Sequence, residues 1–338
     1  MGKICVALFG AGRAGTIHAE NVMKAGLAEI TWIVDEVPEM GEKLVKKLRL
    51  EEMTKVARYD KVNEILNDVS VDAVIVTVPT KMHAEVIKRS LAAGKAVFCE
   101  KPLTLDSKTT VECYDIAESF QRPLMCGFNR RFDPTISNIY EIVRGGDIGD
   151  IRSIKTCSRD PEYPSPDYIK KSGGIFVDAC CHDIDLICWI LGEAPVSVYA
   201  VGHAFNEDIE KAGDCDQVMI VMTFPGGVIG SIDMNRKAVY GYDQRLEILG
   251  SKGMVQEDNP RPTTTVLHTS QGEKLDPLLK KFADRYKDSY EYEMLHFLNV
   301  VSGHEKCLVT RQQVITVMRT AEACKLSLTS GQVVFMNN

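Results

Sequence analysis

The feature that most constrains the fold is a glycine-rich turn near the start of the chain. Residues 3–9 form an apolar stretch that predicts a buried strand, and a helical stretch follows to about Gly26. In a G-x-G-x-x-G turn the first glycine permits the tight turn, the second lets a pyrophosphate approach the backbone, and the third lets the helix pack closely on the strand. The pattern predicts a nucleotide-binding unit, and the alternative is an ordinary glycine-rich turn. The turn consists of Gly10, Ala11, Gly12, Arg13, Ala14 and Gly15.

A single acidic residue points to the kind of nucleotide. The second predicted strand, residues 30–34, ends in Asp35, about twenty residues beyond the last glycine of the turn. A carboxylate at this position accepts hydrogen bonds from both hydroxyls of an adenosine ribose and repels a 2′-phosphate. The expected cofactor is therefore NAD rather than NADP.

The first half of the chain alternates predicted strands with predicted helices. Further strands are expected at 55–59, 72–78, 95–99 and 123–127, with helices between them, and this alternation predicts a doubly wound parallel sheet. We expect residues 1–126 to form the NAD-binding domain. Residues 127–338 would then form a second α/β domain for substrate binding and oligomerisation.

A lysine stands where one of these strands ends. The apolar stretch that begins at Val97 stops at Glu100-Lys101-Pro102, and Pro102 prevents the strand from continuing unchanged. Ligands bind at the carboxyl ends of strands in open α/β sheets, so Lys101 is a candidate catalytic residue, although a surface Lys-Pro turn is the alternative. The same argument makes Thr77, Pro79, His83, Glu100 and Lys101 candidate cofactor contacts. For His83, local packing at a helix start is an equal alternative.

The second half carries another group of residues suited to chemistry. Asp178 and His182 are four residues apart in a stretch predicted as a helix to about Leu191, so they would share one helix face. A histidine beside a carboxylate can act as a base near neutral pH, whereas Asp178 alone could be a helix-start acid. Asp185 would extend the pair to a metal site, but no further ligand cluster accompanies it, and we expect no metal. Arg131 and Tyr242 are candidate substrate contacts, although arginines also form ordinary surface ion pairs.

From residue 196 the pattern changes to strands. Strands are expected at 196–205, 217–224, 227–235, 244–249 and 263–269, which predicts a large, mostly antiparallel sheet. Residues 218–222 are apolar on both faces of their strand, so one face packs on helices and the other needs a partner. We therefore expect a homo-oligomer, either a dimer or a tetramer.

Composition limits the class of protein. A chain of 338 residues is long enough for two domains, and a formal net charge of −7 argues against nucleic acid or an acidic membrane as the main partner. No apolar run approaches a bilayer-spanning length, and the N-terminus enters a strand without a secretory signal. The 11 cysteines are scattered, several within apolar runs, which predicts buried thiols in a cytoplasmic protein.

Together these residues resemble the Gfo/Idh/MocA family of oxidoreductases, and the resemblance covers the whole chain. It is carried by the glycine turn, by Glu100-Lys101-Pro102 and by Asp178-x-x-x-His182. Within that family, three further stretches are similar to those of the inositol 2-dehydrogenases: residues 127–133, 172–176 and 240–245.

The resemblance implies both a fold and an activity. It implies an N-terminal Rossmann domain, a commonly cis Lys101–Pro102 bond, and a catalytic set of Lys101, Asp178 and His182. The implied reaction is NAD-dependent oxidation of a ring hydroxyl of a cyclic polyol, from myo-inositol to 2-keto-inositol. A sugar or aldose dehydrogenase, a keto-sugar reductase and a non-catalytic NAD-binding sensor are the alternatives.

Overall fold

The structure is a computed structural model that describes residues 2–336, and its internal contacts divide the chain into two units. The first unit comprises Met1–Phe132 and Asp288–Met318, and the second comprises Asp133–Lys287 and Arg319–Asn338. The expected division after residue 126 follows chain order alone and stays a prediction. The two units differ from it because a late segment of the chain packs with the first unit.

Strands and helices cover most of the described chain. The strands are β1 (Ile4–Phe9), β2 (Ala28–Val34), β3 (Lys55–Ala57), β4 (Ala73–Val76), β5 (Ala96–Glu100), β6 (Leu124–Gly127), β7 (Ile151–Arg159), β8 (Ser197–His203), β9 (Gln217–Thr223), β10 (Ile229–Asn235), β11 (Asp243–Gly250), β12 (Met254–Glu257), β13 (Val266–Thr269), β14 (Gly272–Leu275) and β15 (Val334–Phe335). The α-helices are α1 (Arg13–Ala25), α2 (Pro38–Leu48), α3 (Val62–Asn67), α4 (Thr80–Ala92), α5 (Ser107–Ser119), α6 (Pro134–Gly145), α7 (Pro166–Ile169), α8 (Ile175–Asp178), α9 (Cys181–Leu191), α10 (Glu207–Lys211), α11 (Phe282–Arg285), α12 (Lys287–Val301) and α13 (Arg311–Ser330). Short 3₁₀ turns lie at Tyr59–Lys61, Asn129–Phe132 and Pro225–Gly227.

The first unit contains the predicted doubly wound sheet. Its six strands lie in the order β3-β2-β1-β4-β5-β6, and every neighbouring pair is parallel. The strands are apolar because helices cover both faces of such a sheet, and all four residues of β4 are fully buried. The strand order reverses between β1 and β4, so the crevice at their carboxyl ends is the expected ligand position. The Rossmann fold is confirmed.

The late segment Asp288–Met318 completes the core of the first unit. The ring of Phe297 in α12 lies 5.6 Å from that of Phe98 in β5, and both side chains are fully buried. Tyr290 packs edge-on against the imidazole of His18 in α1, with 5.7 Å between the ring centroids. A stretch near the C-terminus thus covers part of a sheet built from the N-terminal third of the chain.

The second unit contains the large, mostly antiparallel sheet. Its seven strands lie in the order β12-β11-β7-β10-β9-β8-β15, and only β7 and β10 run parallel. Because β7 and β10 are parallel neighbours, their carboxyl ends meet at one edge, where the amide of Asp160 donates to the carbonyl of Asn235 at 2.9 Å. Helix α9 packs on this sheet, and most of its residues are buried. The expected strand at 263–269 is shorter, and it belongs to the separate hairpin β13–β14.

One face of strand β9 is apolar and exposed. Its residues alternate, so that Val218, Ile220 and Met222 are fully buried while Met219 and Val221 are each 46% exposed.

No helix among residues 2–336 combines the length and apolar character that a membrane crossing requires.

Candidate active site

Glycine occupies the three positions of the turn after β1 for different structural reasons. Gly10 has a φ of +102°, and a Cβ there would lie 2.6 Å from the carbonyl oxygen of Thr77. A Cβ on Gly15 would lie 1.9 Å from the carbonyl oxygen of Gly10, so α1 packs on the turn only with glycine at this position. A Cβ on Gly12 would meet nothing within 4 Å. Gly10 and Gly15 therefore serve the turn itself, and Gly12 leaves room for a ligand.

The residues around this turn fit a dinucleotide. Helix α1 begins after Gly12 with no side-chain cap and no acidic residue in its first turn, so its first amides and its positive dipole end suit a pyrophosphate. Asp35 follows β2, and its carboxylate accepts hydrogen bonds from the amides of Ala11 at 2.7 Å and Val37 at 2.9 Å. Asp35, which is expected to accept hydrogen bonds from the ribose hydroxyls, is thus fixed beside the turn. Arg13 and Ala14, which the sequence assigned to the turn, form the start of α1, and their contact with a cofactor stays a prediction.

The residues after β4 support the turn. The hydroxyl of Thr77 donates to the carbonyl oxygen of Gly10 at 2.8 Å, and Pro79 precedes the first residue of α4. His83 is buried in α4, with Nδ1 at 3.0 Å from the carbonyl oxygen of Pro102 and Nε2 at 2.8 Å from that of Val78. Burial lowers the pKa of His83 despite these two contacts. His83 thus links the Pro102 loop to the end of β4, and a direct cofactor contact stays a prediction.

The carboxylate of Glu100 holds Lys101 at the end of β5. Its Oε1 lies 2.7 Å from Nε2 of the fully buried His18, and its Oε2 accepts the amide hydrogen of Lys101 at 3.1 Å. Burial raises the pKa of the Glu100 carboxyl, but the hydrogen bond and charge of His18 and the charge of Lys101 hold it below its usual value. The Lys101–Pro102 bond is cis, as the family resemblance implies. A half-buried lysine therefore follows the strand, and its backbone amide is held by the partly buried carboxylate of Glu100.

Asp178 and His182 lie at a junction between two helices, which corrects the prediction of one continuous helix. Helix α8 ends at Asp178 and α9 begins at Cys181, because the regular hydrogen-bond pattern is interrupted between them: the amide of Cys180 donates to the carbonyl oxygen of Ile175, five residues back, at 2.9 Å. Asp178 is 5% exposed, whereas His182 is half-buried in the first turn of α9. Asp178 and His182 therefore do not share one continuous helix, and contacts from outside the two helices fix Asp178.

Side chains distant in sequence fix Asp178. Its Oδ1 accepts the hydroxyl hydrogen of Tyr168 at 2.7 Å, and its Oδ2 accepts from Nη1 of Arg236 at 3.1 Å. Arg236 follows β10 and is only 1% exposed. Arg236 and Tyr168 were not predicted from the sequence as functional residues. The available signal was an arginine directly after an apolar strand, at the same kind of strand end that identified Lys101.

The first turn of α9 is anchored to the sheet beside His182. The hydroxyl of Ser158, at the end of β7, donates to Oδ1 of the buried Asp183 at 2.6 Å. Asp185 is also buried, in the same helix. Within residues 2–336, no three His, Cys, Asp or Glu side chains are grouped to hold a metal ion. The Ser158–Asp183 hydrogen bond thus fixes the turn of α9 that carries His182.

The two candidate substrate contacts differ in their surroundings. Arg131 is buried in the first unit, where its guanidinium donates to the side-chain oxygen of Gln313 at 2.8 Å. Tyr242 is buried in the second unit, just before β11, and its ring lies edge-on to that of Tyr286 with 6.2 Å between centroids. Arg131 thus has a clear structural task, and substrate contact by either residue stays a prediction.

Comparison with known proteins matches both halves of the chain. A family model described as an oxidoreductase family with an NAD-binding Rossmann fold matches residues 4–128, and a GFO/IDH/MocA C-terminal domain model matches residues 136–256. A myo-inositol 2-dehydrogenase of Thermotoga maritima is 39% identical over 324 residues, which are 96% of this chain and 96% of that protein. The uncharacterized oxidoreductase YrbE of Bacillus subtilis is 37% identical over 98% of this chain and 96% of its own length.

A solved structure extends the comparison to bound ligands. The crystal structure of a scyllo-inositol dehydrogenase from Lactobacillus casei, with bound NAD(H) and scyllo-inositol, matches with a TM-score of 0.90. It is 26% identical to this chain, and the match covers 99% of each chain. The similarity therefore spans both units and is not limited to the nucleotide-binding part.

Proposed function

The chain belongs to the GFO/IDH/MocA family of oxidoreductases with an NAD-binding Rossmann fold, and on this premise we propose that it oxidises a ring hydroxyl of a cyclic polyol. The proposed reaction converts myo-inositol to 2-keto-inositol with NAD as the oxidant. One observation carries the proposal: all three residues of the predicted catalytic set are present. Lys101 is half-buried in the first unit, and in the second unit Asp178 is buried and His182 is half-buried. A non-catalytic sensor has no need of all three.

The first unit supplies the cofactor site. The six residues of the glycine turn would hold the pyrophosphate, and Asp35 would accept the ribose hydroxyls. Thr77, Pro79, His83 and Glu100 would support the same site from the neighbouring strand ends. Bound NAD supplies a hydride acceptor for the C–H of the alcohol carbon.

Two side chains are assigned to the reacting hydroxyl. His182 removes the hydroxyl proton as a general base, because a half-buried imidazole is the side chain best suited to proton transfer near neutral pH. Lys101 binds the same oxygen and stabilises the negative charge that develops on it. Asp178 cannot shift freely, because Tyr168 and Arg236 hold both of its oxygens, so it orients His182 or accepts a neighbouring hydroxyl. Arg131 and Tyr242 are proposed to contact the remaining ring hydroxyls.

Turnover with a panel of substrates tests this proposal. Purified protein is mixed with NAD and, separately, with myo-inositol, other inositols and aldoses, and NADH formation is followed by its absorbance. We expect turnover with myo-inositol. Turnover with another inositol, or only with an aldose, would support the proposed reaction but assign it a different substrate. No NADH formation with any of these substrates, with NADH binding intact, would contradict the proposal that the protein is a dehydrogenase.

The same assay tests the cofactor preference. Asp35 is expected to disfavour a 2′-phosphate, so NADP should support much slower turnover than NAD. Asp35→Ser removes the negative charge, and it should reduce kcat/KM with NAD more than with NADP. Equal use of both cofactors by the wild type would contradict the role given to Asp35.

The open face of the second sheet supports a homo-oligomer. Tyr199 and Val201 of β8 lie beside Met219 and Val221 of β9, and all four are between 38% and 46% exposed. A contiguous apolar sheet face of this kind is typical of a protein interface. A dimer or tetramer is proposed, with Val221→Lys expected to reduce the mass measured by light scattering. An unchanged mass would place the interface elsewhere or show a monomer.

A cytoplasmic location is proposed from the cysteines. Cys99 and Cys180 are fully buried, and burial raises the pKa of both thiols well above the usual value, which keeps them protonated and unreactive. Eight of the 11 cysteines are buried, which suits a reducing compartment. Cell fractionation with antibody detection tests the location.

A further inference from the structure

The arginine that follows β10 holds two carboxylates at once. Arg236 is fully buried, and its backbone amide donates to the carbonyl oxygen of Asp216 at 2.8 Å, which fixes its position at the sheet edge. Its Nη1 donates to Oδ2 of Asp178 at 3.1 Å, and its Nη2 donates to Oδ2 of Asp214 at 3.4 Å. We call these three side chains the Asp178–Arg236–Asp214 clamp.

The clamp holds the short helix α8 at both of its ends. Asp178 is the last residue of α8, and the second carboxylate of the clamp, that of Asp214, accepts the amide hydrogen of Ile175, its first residue, at 3.0 Å. Gly174, which precedes the helix, has a φ of +88°, and a Cβ there would lie 3.4 Å from Oδ1 of Asp214. A four-residue helix has almost no stability of its own, so its position depends on such external contacts.

The clamp also determines what Asp178 can do chemically. Its Oδ2 faces the guanidinium and its Oδ1 faces the hydroxyl of Tyr168, so both oxygens accept hydrogen bonds. Burial lowers the pKa of Arg236, but the charges of Asp178 and Asp214 raise it further, above its usual value. A carboxylate stabilised by a permanent cation and a second donor is a poor proton acceptor.

We propose that Arg236 is a positioning residue of the reaction: through the Asp178–Arg236–Asp214 clamp it fixes the Asp178 carboxylate as a hydrogen-bond acceptor and leaves proton removal to His182 alone. The inference rests on the proposed function, because Asp178 has a chemical role only if the protein oxidises an alcohol. It goes further by assigning Asp178 to orientation and by adding a residue 58 positions away in the chain.

A double-mutant cycle tests whether Arg236 acts through Asp178. Arg236→Gln should lower kcat by about tenfold to a hundredfold, in the range for misplacing a reacting group, and NADH affinity should stay within about twofold, because the nucleotide residues belong to the other unit. Asp178→Asn should cause a loss of its own. Adding Arg236→Gln to Asp178→Asn should then lower kcat by less than about twofold further, because the shared interaction is already gone. Arg159→Gln is the matched control, since Arg159 pairs with Asp233 of the same sheet outside the clamp and should keep wild-type turnover.

Milder variants cover the case in which Arg236→Gln does not fold. Asp214→Asn keeps an oxygen for the amide of Ile175 but loses the ion pair with Arg236, and Tyr168→Phe removes one hydroxyl. Each should lower kcat several-fold without changing NADH affinity, and Arg236→Lys should recover part of the activity lost in Arg236→Gln. Folding is checked by circular dichroism and by thermal unfolding.

A readout that does not require turnover separates this inference from the proposed function. Hydrogen–deuterium exchange of the amides of α8 should be several-fold faster in Asp214→Asn than in the wild type, while peptides from β1 and α1 keep their rates. Faster exchange in Asp214→Asn, together with no polyol turnover by the wild type, would support the clamp and contradict the proposed function. Unchanged exchange, or losses from Arg236→Gln and Asp178→Asn that multiply in the double variant, would overturn the clamp.

Discussion

Asp35 in the first unit and Asp178 in the second, the two carboxylates predicted to contact a ligand, are held in place by different kinds of contact. In the first unit, Asp35 accepts two backbone amides, and the glycine turn is shaped by the close approach of Gly15 to the carbonyl of Gly10. In the second unit, Asp178 is held by the side chains of Tyr168 and Arg236, which lie 10 and 58 residues away in the chain. A contact to a backbone amide tolerates most side chains at the donor residue, whereas a contact between two buried side chains depends on the identity of both partners.

The largest expected effect tests whether both units contribute to one reaction. His182→Gln should lower kcat by about 10²–10⁴-fold through loss of the general base, and Lys101→Met should lower it by about 10²–10³-fold through loss of charge stabilisation. Steady-state kinetics with the active polyol measures both. His203→Gln, an exposed histidine of β8, and Lys155→Met, an exposed lysine of β7, are the matched controls. Wild-type turnover in either site variant would mean that one unit alone carries the chemistry.

A smaller but still large effect concerns stability in the second unit. The buried Arg285 pairs with Asp133 at 2.8 Å and with Glu257, so Arg285→Met leaves two buried carboxylates without their cation. The free energy of unfolding should fall by about 3–5 kcal/mol, measured by urea unfolding. Arg89→Met in the first unit should cost about 0.5 kcal/mol or less, because Arg89 pairs with Glu85 on the surface of α4.

A charge-balanced variant sharpens the Arg285 prediction. Arg285→Met combined with Asp133→Asn and Glu257→Gln removes the uncompensated charges and should recover much of the lost stability. Equal losses in the single and triple variants would show that packing, and not charge, explains the effect.

An intermediate effect compares two glycines of the same turn. Gly15→Ala should lower the free energy of unfolding by about 1–3 kcal/mol, because its Cβ would overlap the Gly10 carbonyl. Gly12→Ala should change it by about 0.5 kcal/mol or less, since its Cβ meets nothing within 4 Å, yet NADH affinity should fall by about tenfold because the pyrophosphate needs that space. Thermal unfolding and a fluorescence titration with NADH separate the two. Normal NADH binding by Gly12→Ala would exclude the turn as the phosphate site.

The smallest expected effect is a pH dependence in the first unit. The folded-state pKa of Glu100 lies below its ordinary value of 4.5, so the ionised carboxylate stabilises the fold above that value. This contribution is lost as the pH falls through the folded-state pKa. Urea unfolding at about pH 6 and about pH 3 should therefore show a smaller acid-induced loss of stability in Glu100→Gln than in the wild type. An equal loss in both proteins would mean that the contact between His18 and Glu100 does not stabilise the fold.

The sequence predicted the first unit better than the second for a physical reason. The turn, Asp35 and Lys101 follow from rules about neighbouring residues, namely strand, turn, helix and strand end. Arg236 could not be assigned, because its partner is set by how β9 and β10 pair and by where the chain before α8 passes. The interruption between Asp178 and Cys181 was not predicted, because the apolar spacing continues across it while the i→i−4 hydrogen-bond pattern does not.

The passage of Asp288–Met318 into the first unit has a consequence for synthesis and for engineering. Phe98 is covered by Phe297, so a ribosome has made most of the chain before the first sheet can finish packing. A gene fragment that ends near residue 126 would leave that aromatic surface open to water. Chimaeras that exchange the whole first unit with that of a relative would accordingly need to transfer two separated stretches of DNA.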